Sequence, residues 1–295
     1  MGKTNLLNDK WRPMMKKKIL LQPVLAVCLV LMSAGVVFAG AWTQEKGRSY
    51  HRVAVNYYYA DEEYNTNGDF RSMPFNGEFT DFNLNYYVEY GILDELTVLG
   101  SVYYKMIERE DDYYKYETNG MGDLDLGLRY RIDHSRIGIF SVQGLVKIPE
   151  LYDEDDAMPL GNGQYDYELR LLYGRSLWPV IPGYMNLEAG YRWRAKAPAD
   201  EFRYLVEIGS EFGKNFYGRA KLDAIVSMDN ADDATDAFGN PTNTLEYDLA
   251  KLDLTLGYHM TKEWGLELEY TPAVWGENTA KGATWTVAVS FQPGK

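Results

Sequence analysis

The run Gly122-Asp123-Leu124-Asp125-Leu126-Gly127-Leu128-Arg129-Tyr130-Arg131-Ile132 constrains the fold more than any other stretch. Leu124, Leu126, Leu128, Tyr130 and Ile132 are apolar, and the residues between them are acidic, basic or glycine. Successive side chains of a β-strand point to opposite faces, so this is a strand with one apolar and one charged face. A soluble sandwich buries such an apolar row. A transmembrane barrel turns it to lipid and turns the charges to its lumen. One strand does not choose between the two, and the decision falls to its surroundings.

Lys16-Lys17-Lys18 precedes an apolar run from Ile19 to Phe38 that closes on Val37-Phe38-Ala39. A basic region, an apolar run and a small-x-small site form the pattern of a secretory signal peptide, which places cleavage after Ala39. Residues 1–39 are thus read as extension and signal peptide, with Met1, Met14 or Met15 as the start, and 40–295 as one domain. A single uncleaved transmembrane anchor is the minor alternative. Cys28 is the only cysteine and lies inside the apolar run; Leu25-Ala26-Val27-Cys28 is a poor lipidation signal. The mature chain would hold no cysteine and no disulfide. Removing 39 residues also removes six basic and one acidic residue, which leaves 24 basic against 42 acidic and a net charge of −18. That excludes a nucleic-acid binder, which needs basic patches. Beyond the signal no apolar run approaches the ~20 residues of a membrane helix, so a membrane could be entered only as a closed barrel.

The same alternation recurs in twelve rows: Val53–Tyr59, Phe82–Tyr90, Leu96–Tyr104, Leu124–Ile132, Phe140–Val146, Tyr165–Tyr173, Met185–Trp193, Phe202–Ile208, Phe216–Val226, Leu245–Tyr258, Trp264–Tyr270 and Ala283–Phe291. In the tenth row the apolar positions change from odd (Leu245, Tyr247, Leu249) to even (Leu252, Leu254, Leu256, Tyr258), which predicts a β-bulge at Ala250-Lys251. Connections at 91–95, 133–136, 213–215 and 260–263 are short, and 174–183 is longer. Those at 61–78, 107–121, 149–164, 229–244 and 272–281 are long, and only 195–201 is brief. Short turns alternating with long loops predict a closed antiparallel barrel of the outer membrane, all-β, with periplasmic turns and extracellular loops. Tyr90, Tyr130, Tyr173, Phe212, Tyr258 and Phe291 end rows at the turn side. Tyr59, Phe82, Tyr104, Tyr165, Trp193, Phe202, Tyr270 and Trp285 stand at the other side, and the two sets predict paired aromatic girdles.

The opposite face carries Arg52, Glu89, Asp123, Asp125, Arg129, Arg131, Glu168, Arg170, Glu188, Arg192, Arg194, Arg203, Glu207, Arg219, Lys221, Asp223, Asp253, Glu267 and Glu269, with Lys105, Lys147, Asp166 and Glu211 in the same phase. Such charges cost roughly 2–4 kcal/mol each on a lipid face near the midplane, so their common phase indicates a polar interior and makes them the expected pore lining. Hairpin counting around Gly213–Asn215 puts Glu207 beside Lys221. Twelve strands lie between small barrels filled by side chains and wide porins, so the lumen is either a narrow pore or one closed by its own ion pairs. The loops are acidic (Asp61-Glu62-Glu63, Glu108–Asp112, Asp153–Asp156, Asp229–Asp236), but none has the spacing of a calcium loop.

His51, His134 and His259 are the only histidines and all fall near the turn side. No triad can form at the loop side, scattered histidines make no metal site, and no cofactor motif occurs; an enzyme is not expected. Two roles remain, passive diffusion of small solutes or a structural or adhesive surface barrel. The expected partners are outer-membrane lipid, lipopolysaccharide, the barrel-assembly machinery and a small-molecule solute.

Ala41-Trp42-Thr43-Gln44-Glu45-Lys46-Gly47, Glu89–Val98, Gly120–Tyr130 and Gly190-Tyr191-Arg192-Trp193-Arg194 through Asp200–Tyr204 resemble a family of outer-membrane proteins named for association with the meta-pathway of phenol degradation. The resemblance covers most of the mature chain and implies a transporter-like barrel, with uptake of aromatic or hydrophobic compounds. It assigns no binding residue.

Overall fold

A computed structural model describes residues 40–153, 158–196, 198–230 and 246–294. The expected signal sequence and its expected cleavage site after Ala39 lie outside the described residues. So do most of the acidic runs in the 149–164 and 229–244 loops, and Leu245 of the tenth row.

Twelve antiparallel strands form the wall: β1 Ser49–Tyr64, β2 Glu78–Leu93, β3 Leu96–Glu110, β4 Lys115–Ser135, β5 Gly138–Ile148, β6 Asp166–Ser176, β7 Gly183–Arg194, β8 Glu201–Phe212, β9 Phe216–Ser227, β10 Asp248–His259, β11 Trp264–Glu277 and β12 Thr279–Phe291. A further short strand, Phe70–Ser72, pairs only with the end of β1. Each strand pairs with its sequence neighbours, and β12 returns to β1 from His51↔Phe291 to Tyr64↔Thr279. The sheet is therefore a closed barrel among the described residues, with no open edge to satisfy in lipid.

The faces sort as the alternation requires. Leu126, Leu128, Tyr130 and Ile132 are exposed while Asp125 and Arg129 are buried; Val287 is 50 % and Trp285 60 % exposed while Thr286 and Ala288 are buried. In a soluble protein such an apolar exterior would be untenable; around a barrel it is the lipid-facing band. Aromatics ring both ends. Phe212, Phe216 and Tyr258 stack in sequence at the turn end, as Trp264 does on Phe291. Tyr270 and Trp285 lie 4.4 Å apart at the loop end.

Two segments expected as loops are strand. The β3–β4 ladder continues to Glu110↔Lys115, so most of 107–121 is a protruding hairpin. β11 runs to Glu277 and β12 starts at Thr279, which absorbs most of 272–281. The pairing irregularity falls between Ala250 and Lys251, as the phase change predicts, but Ala250 pairs with Trp275 and Lys251 with Ala273. The extra residue is thus Val274, on β11 and not on β10. Pro272 has no N–H to donate there, a common reason for a ladder to break. β10 keeps its phase, and Tyr247 and Leu249 face inward beside Ile225.

Candidate functional site: the lumen

The inner face is built from long charged side chains on strands whose pleat points them at one another. On one side of the lumen Arg52 donates from Nε to Glu267 Oε2 (3.0 Å) and from Nη2 to Glu269 Oε1 (2.6 Å). Arg219 Nη2 reaches the same Glu269 oxygen at 2.9 Å, and Arg219 Nε lies 3.8 Å from Glu207 Oε2. Tyr217 and Tyr184 donate to Glu267 and Glu207 at 2.6 Å each. On the facing side Glu168 is the hub. Arg170 Nε donates to it at 2.8 Å, Arg192 Nε at 3.0 Å, and Arg203 Nη1 stands 3.6 Å away. Arg170 also donates to Glu188 (2.6 Å). Lys147 joins Asp166 (2.9 Å) to Asp123 (3.5 Å), and Arg194 pairs with Glu201. Arg52, Glu267 and Glu269 are at most 2 % exposed. Breaking one buried pair leaves its partner charge uncompensated, at a cost of roughly 3–5 kcal/mol.

Most of the expected lining residues are brought together in this way. Lys221 stands opposite Glu207 in the ladder, as hairpin counting indicates, but its ion pair is with Asp253 on the other neighbour (3.0 Å). Arg131 sits at the turn-end rim, half-buried, 3.9 Å from Glu95. Asp125 and Asp223 line the lumen with no ion pair among the described residues. Glu201 and Lys251 are members that sequence reading missed. Glu201 has the parity of Arg203, one step beyond where the eighth row begins. Lys251 was hidden by the bulge placed on its own strand.

The turn end of the lumen is occupied by the residues that lead into β1. The segment 40–48 folds back inside the wall before β1 begins. Ala41 is fully buried: its N–H donates to Asn186 Oδ1 (3.2 Å) and its carbonyl accepts from Ser141 Oγ (2.5 Å). Arg129 Nη1 donates to the Trp42 carbonyl (2.9 Å) and to Glu89 Oε1 (3.0 Å). Gln44 donates from its N–H to Thr97 Oγ1 (2.8 Å) and from Nε2 to Glu89 Oε2 (2.7 Å). The Trp42 ring packs edge-on against Tyr184, and a Cβ on Gly174 would strike it at 2.7 Å. Gly91 N–H donates to the Arg48 carbonyl and Gly47 N–H to the Gly91 carbonyl, which ties the segment to the end of β2.

The loop end is occupied by the connection between β5 and β6. Met158 and Leu160 are buried against Tyr58, Met73, Phe79, Ile107 and Ala280, an apolar collar across the mouth. Tyr152 OH donates to Asp123 Oδ1 (2.7 Å) and accepts from Gly163 N–H (2.8 Å). Burial, then the charge of Asp123, pushes the Tyr152 phenol well above its ordinary range. At the rim Asp200 accepts from Arg194 N–H (2.8 Å), Asn230 Nδ2 (3.0 Å) and Tyr191 OH (3.0 Å). Burial raises that carboxyl, but the three donors outweigh it and hold it below the usual carboxylate range. Below the collar lies a cavity of about 110 Å³, lined by Leu160 together with Arg52, Lys105 and Lys221. His51, His134 and His259 sit at the turn end; His51 Nδ1 is 2.8 Å from Tyr86 OH, and His259 packs on Tyr217.

No protein-family model and no curated protein matches the sequence. Among solved structures the chain is similar to an outer membrane channel from Pseudomonas putida F1, with 14% identity, a TM-score of 0.68, and 85% of this chain and 97% of that one covered. Also similar are the NanC porin (11% identity, TM-score 0.49, 81% and 98% covered) and the translocator domain of the autotransporter NalP from Neisseria meningitidis (13%, 0.49, 82% and 88%). At these identities the likeness is one of fold, and the fold is that of an outer-membrane β-barrel.

Proposed function

We propose that the barrel is an outer-membrane channel for passive diffusion of small solutes, with the charged lumen as its route. The observation that carries this reading is the cavity of about 110 Å³ inside the wall, lined by charged side chains of both signs, among them Arg52, Lys105, Asp123, Asp223 and Lys251. A wall built only for strength gains more from a fully satisfied or apolar interior. The apolar collar at Met158 and Leu160 supports solutes with an aromatic or hydrophobic part, in keeping with the resemblance to the phenol meta-pathway family. Outer-membrane lipid, lipopolysaccharide and the assembly machinery are the partners such a barrel meets after signal cleavage at Ala39.

A second reading, a structural or adhesive barrel, is favoured by the paired lattice and by the two segments inside its ends. Planar-bilayer recording of the purified mature protein separates them. Discrete current steps are expected, and a folded sample with neither current nor liposome swelling would leave the second reading standing.

A further inference from the structure

The cavity below the collar has two unlike walls. On the β12–β1–β2–β3 side the polar groups form an unbroken chain. Thr286 Oγ1 donates to Asn56 Oδ1 (2.7 Å), Asn56 Nδ2 to Asn83 Oδ1 (2.7 Å) and Asn83 Nδ2 to Asp81 Oδ1 (2.9 Å). Lys105 Nζ closes the chain 3.3 Å from Asp81 Oδ2. On the β9–β10 side Lys221 and Asp253 pair, yet Asp223 and Lys251 have neither hydrogen bond nor ion pair among the described residues. These two stand directly opposite each other in the ladder and both line the cavity. Opposed residues have Cβ atoms about 5 Å apart, so a carboxylate and an ammonium stand side by side in each other's field, held by no hydrogen bond, with Arg203 the strongest other charge acting on Asp223.

The lining holds four basic and four acidic side chains, so it has no net sign with which to gather ions of one charge. It does reward a solute that carries both charges close together. Leu249 and Ala273 supply apolar surface on the side of the pair, and Tyr58 and Tyr103 supply it on the facing wall.

We infer that this cavity binds the zwitterionic head group of a free α-amino acid, carboxylate to Lys251 and ammonium to Asp223, with an apolar side chain against Tyr58, Tyr103 and Leu249. The inference rests on the lumen being a solute route, because the amino acid must reach the site. Charge-assisted hydrogen bonds at both ends of the head group set the specificity. Asp223 and Lys251 are then the residues that distinguish a zwitterion from a plain acid or amine.

The test compares L-valine with isovalerate and isobutylamine, which keep the same body and one charge each. Binding to the folded mature protein is measured by calorimetry in micelles, and current block in bilayers. L-valine is expected to bind tighter than either by about tenfold or more, the fold-change for one lost charge-assisted bond. Lys251→Met and Asp223→Asn each remove that preference. The double exchange Asp223→Lys with Lys251→Asp retains it, because the head group can turn round. Isovalerate binding as tightly as valine, or valine binding unchanged in both single variants, would overturn the inference. The first comparison needs no variant, so a variant that fails to fold does not rescue the idea. Current without a valine preference removes this site and leaves the channel; valine binding without any current removes the channel and leaves the site.

Discussion

The two ends of the lumen are filled by different chemistry. At the turn end, segment 40–48 is held by polar bonds to its own backbone: Asn186, Ser141, Arg129 and Thr97 all contact main-chain atoms. At the loop end, Met158 and Leu160 are held mainly by apolar contact with Tyr58, Phe79 and Ile107, with one backbone bond from Lys105 Nζ to the Leu160 carbonyl (3.4 Å). The turn-end segment adds only a small apolar cluster of Ala41 and Trp42 with Ile139 and Leu172. Directional bonds to backbone groups fix a segment in one register and fail when a partner is lost. An apolar collar is non-directional and yields to a solute that is itself partly apolar. On the channel reading, the difference makes the turn end a fixture and the loop end the part that a solute would displace.

The sharpest way to break this contrast is Arg129→Ala. It removes bonds to the Trp42 carbonyl and to Gln143, and strands Glu89 as a buried charge, so a loss of about 3–5 kcal/mol is expected in urea unfolding from liposomes. Conductance should rise, and the amides of Ala41 and Gln44 should exchange faster. Unchanged exchange at both would show that Arg129 does not hold the segment. Next in size, Leu160→Ala in the collar should cost about 2–3 kcal/mol, the low end for a large buried side chain, because a loop can settle into the space. Here current for solutes with apolar parts should rise while Ala41 and Gln44 stay protected. Trp42→Ala loses one edge-on ring contact, worth about 1 kcal/mol beyond its burial, and should loosen the turn end alone.

The smallest effect concerns the rim clamp at Asp200. Because its folded carboxyl titrates below the ordinary range, its contribution is complete above the unfolded value. That contribution is lost only as pH falls through the lower, folded value. The protection of the Arg194 amide, taken relative to the intrinsic exchange rate at each pH, should stay high at neutral pH and fall only in acid; Asp200→Ala should lower it at neutral pH as well.

What alternation could reveal was any residue with lipid on one side and the lumen on the other. That covers the wall from Arg52 to Glu269, the aromatic girdles and the place where the β10–β11 register slips. It fails where the lumen stops being polar. Ile225, Tyr247 and Leu249 point inward, but they meet an apolar rim, so an inward row looked like an outward one. The bulge was therefore assigned to β10 when Pro272 and Val274 put it on β11. The hairpin over 107–121 has no apolar row because both faces stand in water, and it read as a loop. Segment 40–48 has no period at all. Its place is set by single polar side chains contributed from strands β3, β4, β5 and β7, which no local pattern encodes. Met158 and Leu160 lie close to an acidic run whose charge concealed them.

The outward oil and inward charge of the wall are tested most directly on β12. Cys28, the only cysteine, precedes the expected cleavage site, so single cysteines from Ala283 to Phe291 can each carry a nitroxide in lipid bilayers. Collision with oxygen should peak at Trp285, Val287 and Val289, and collision with a polar nickel chelate should peak at Thr284, Thr286 and Ala288, in strict alternation. A profile with no alternation, or with the two reagents exchanged, would contradict the arrangement from which every other statement about this protein follows.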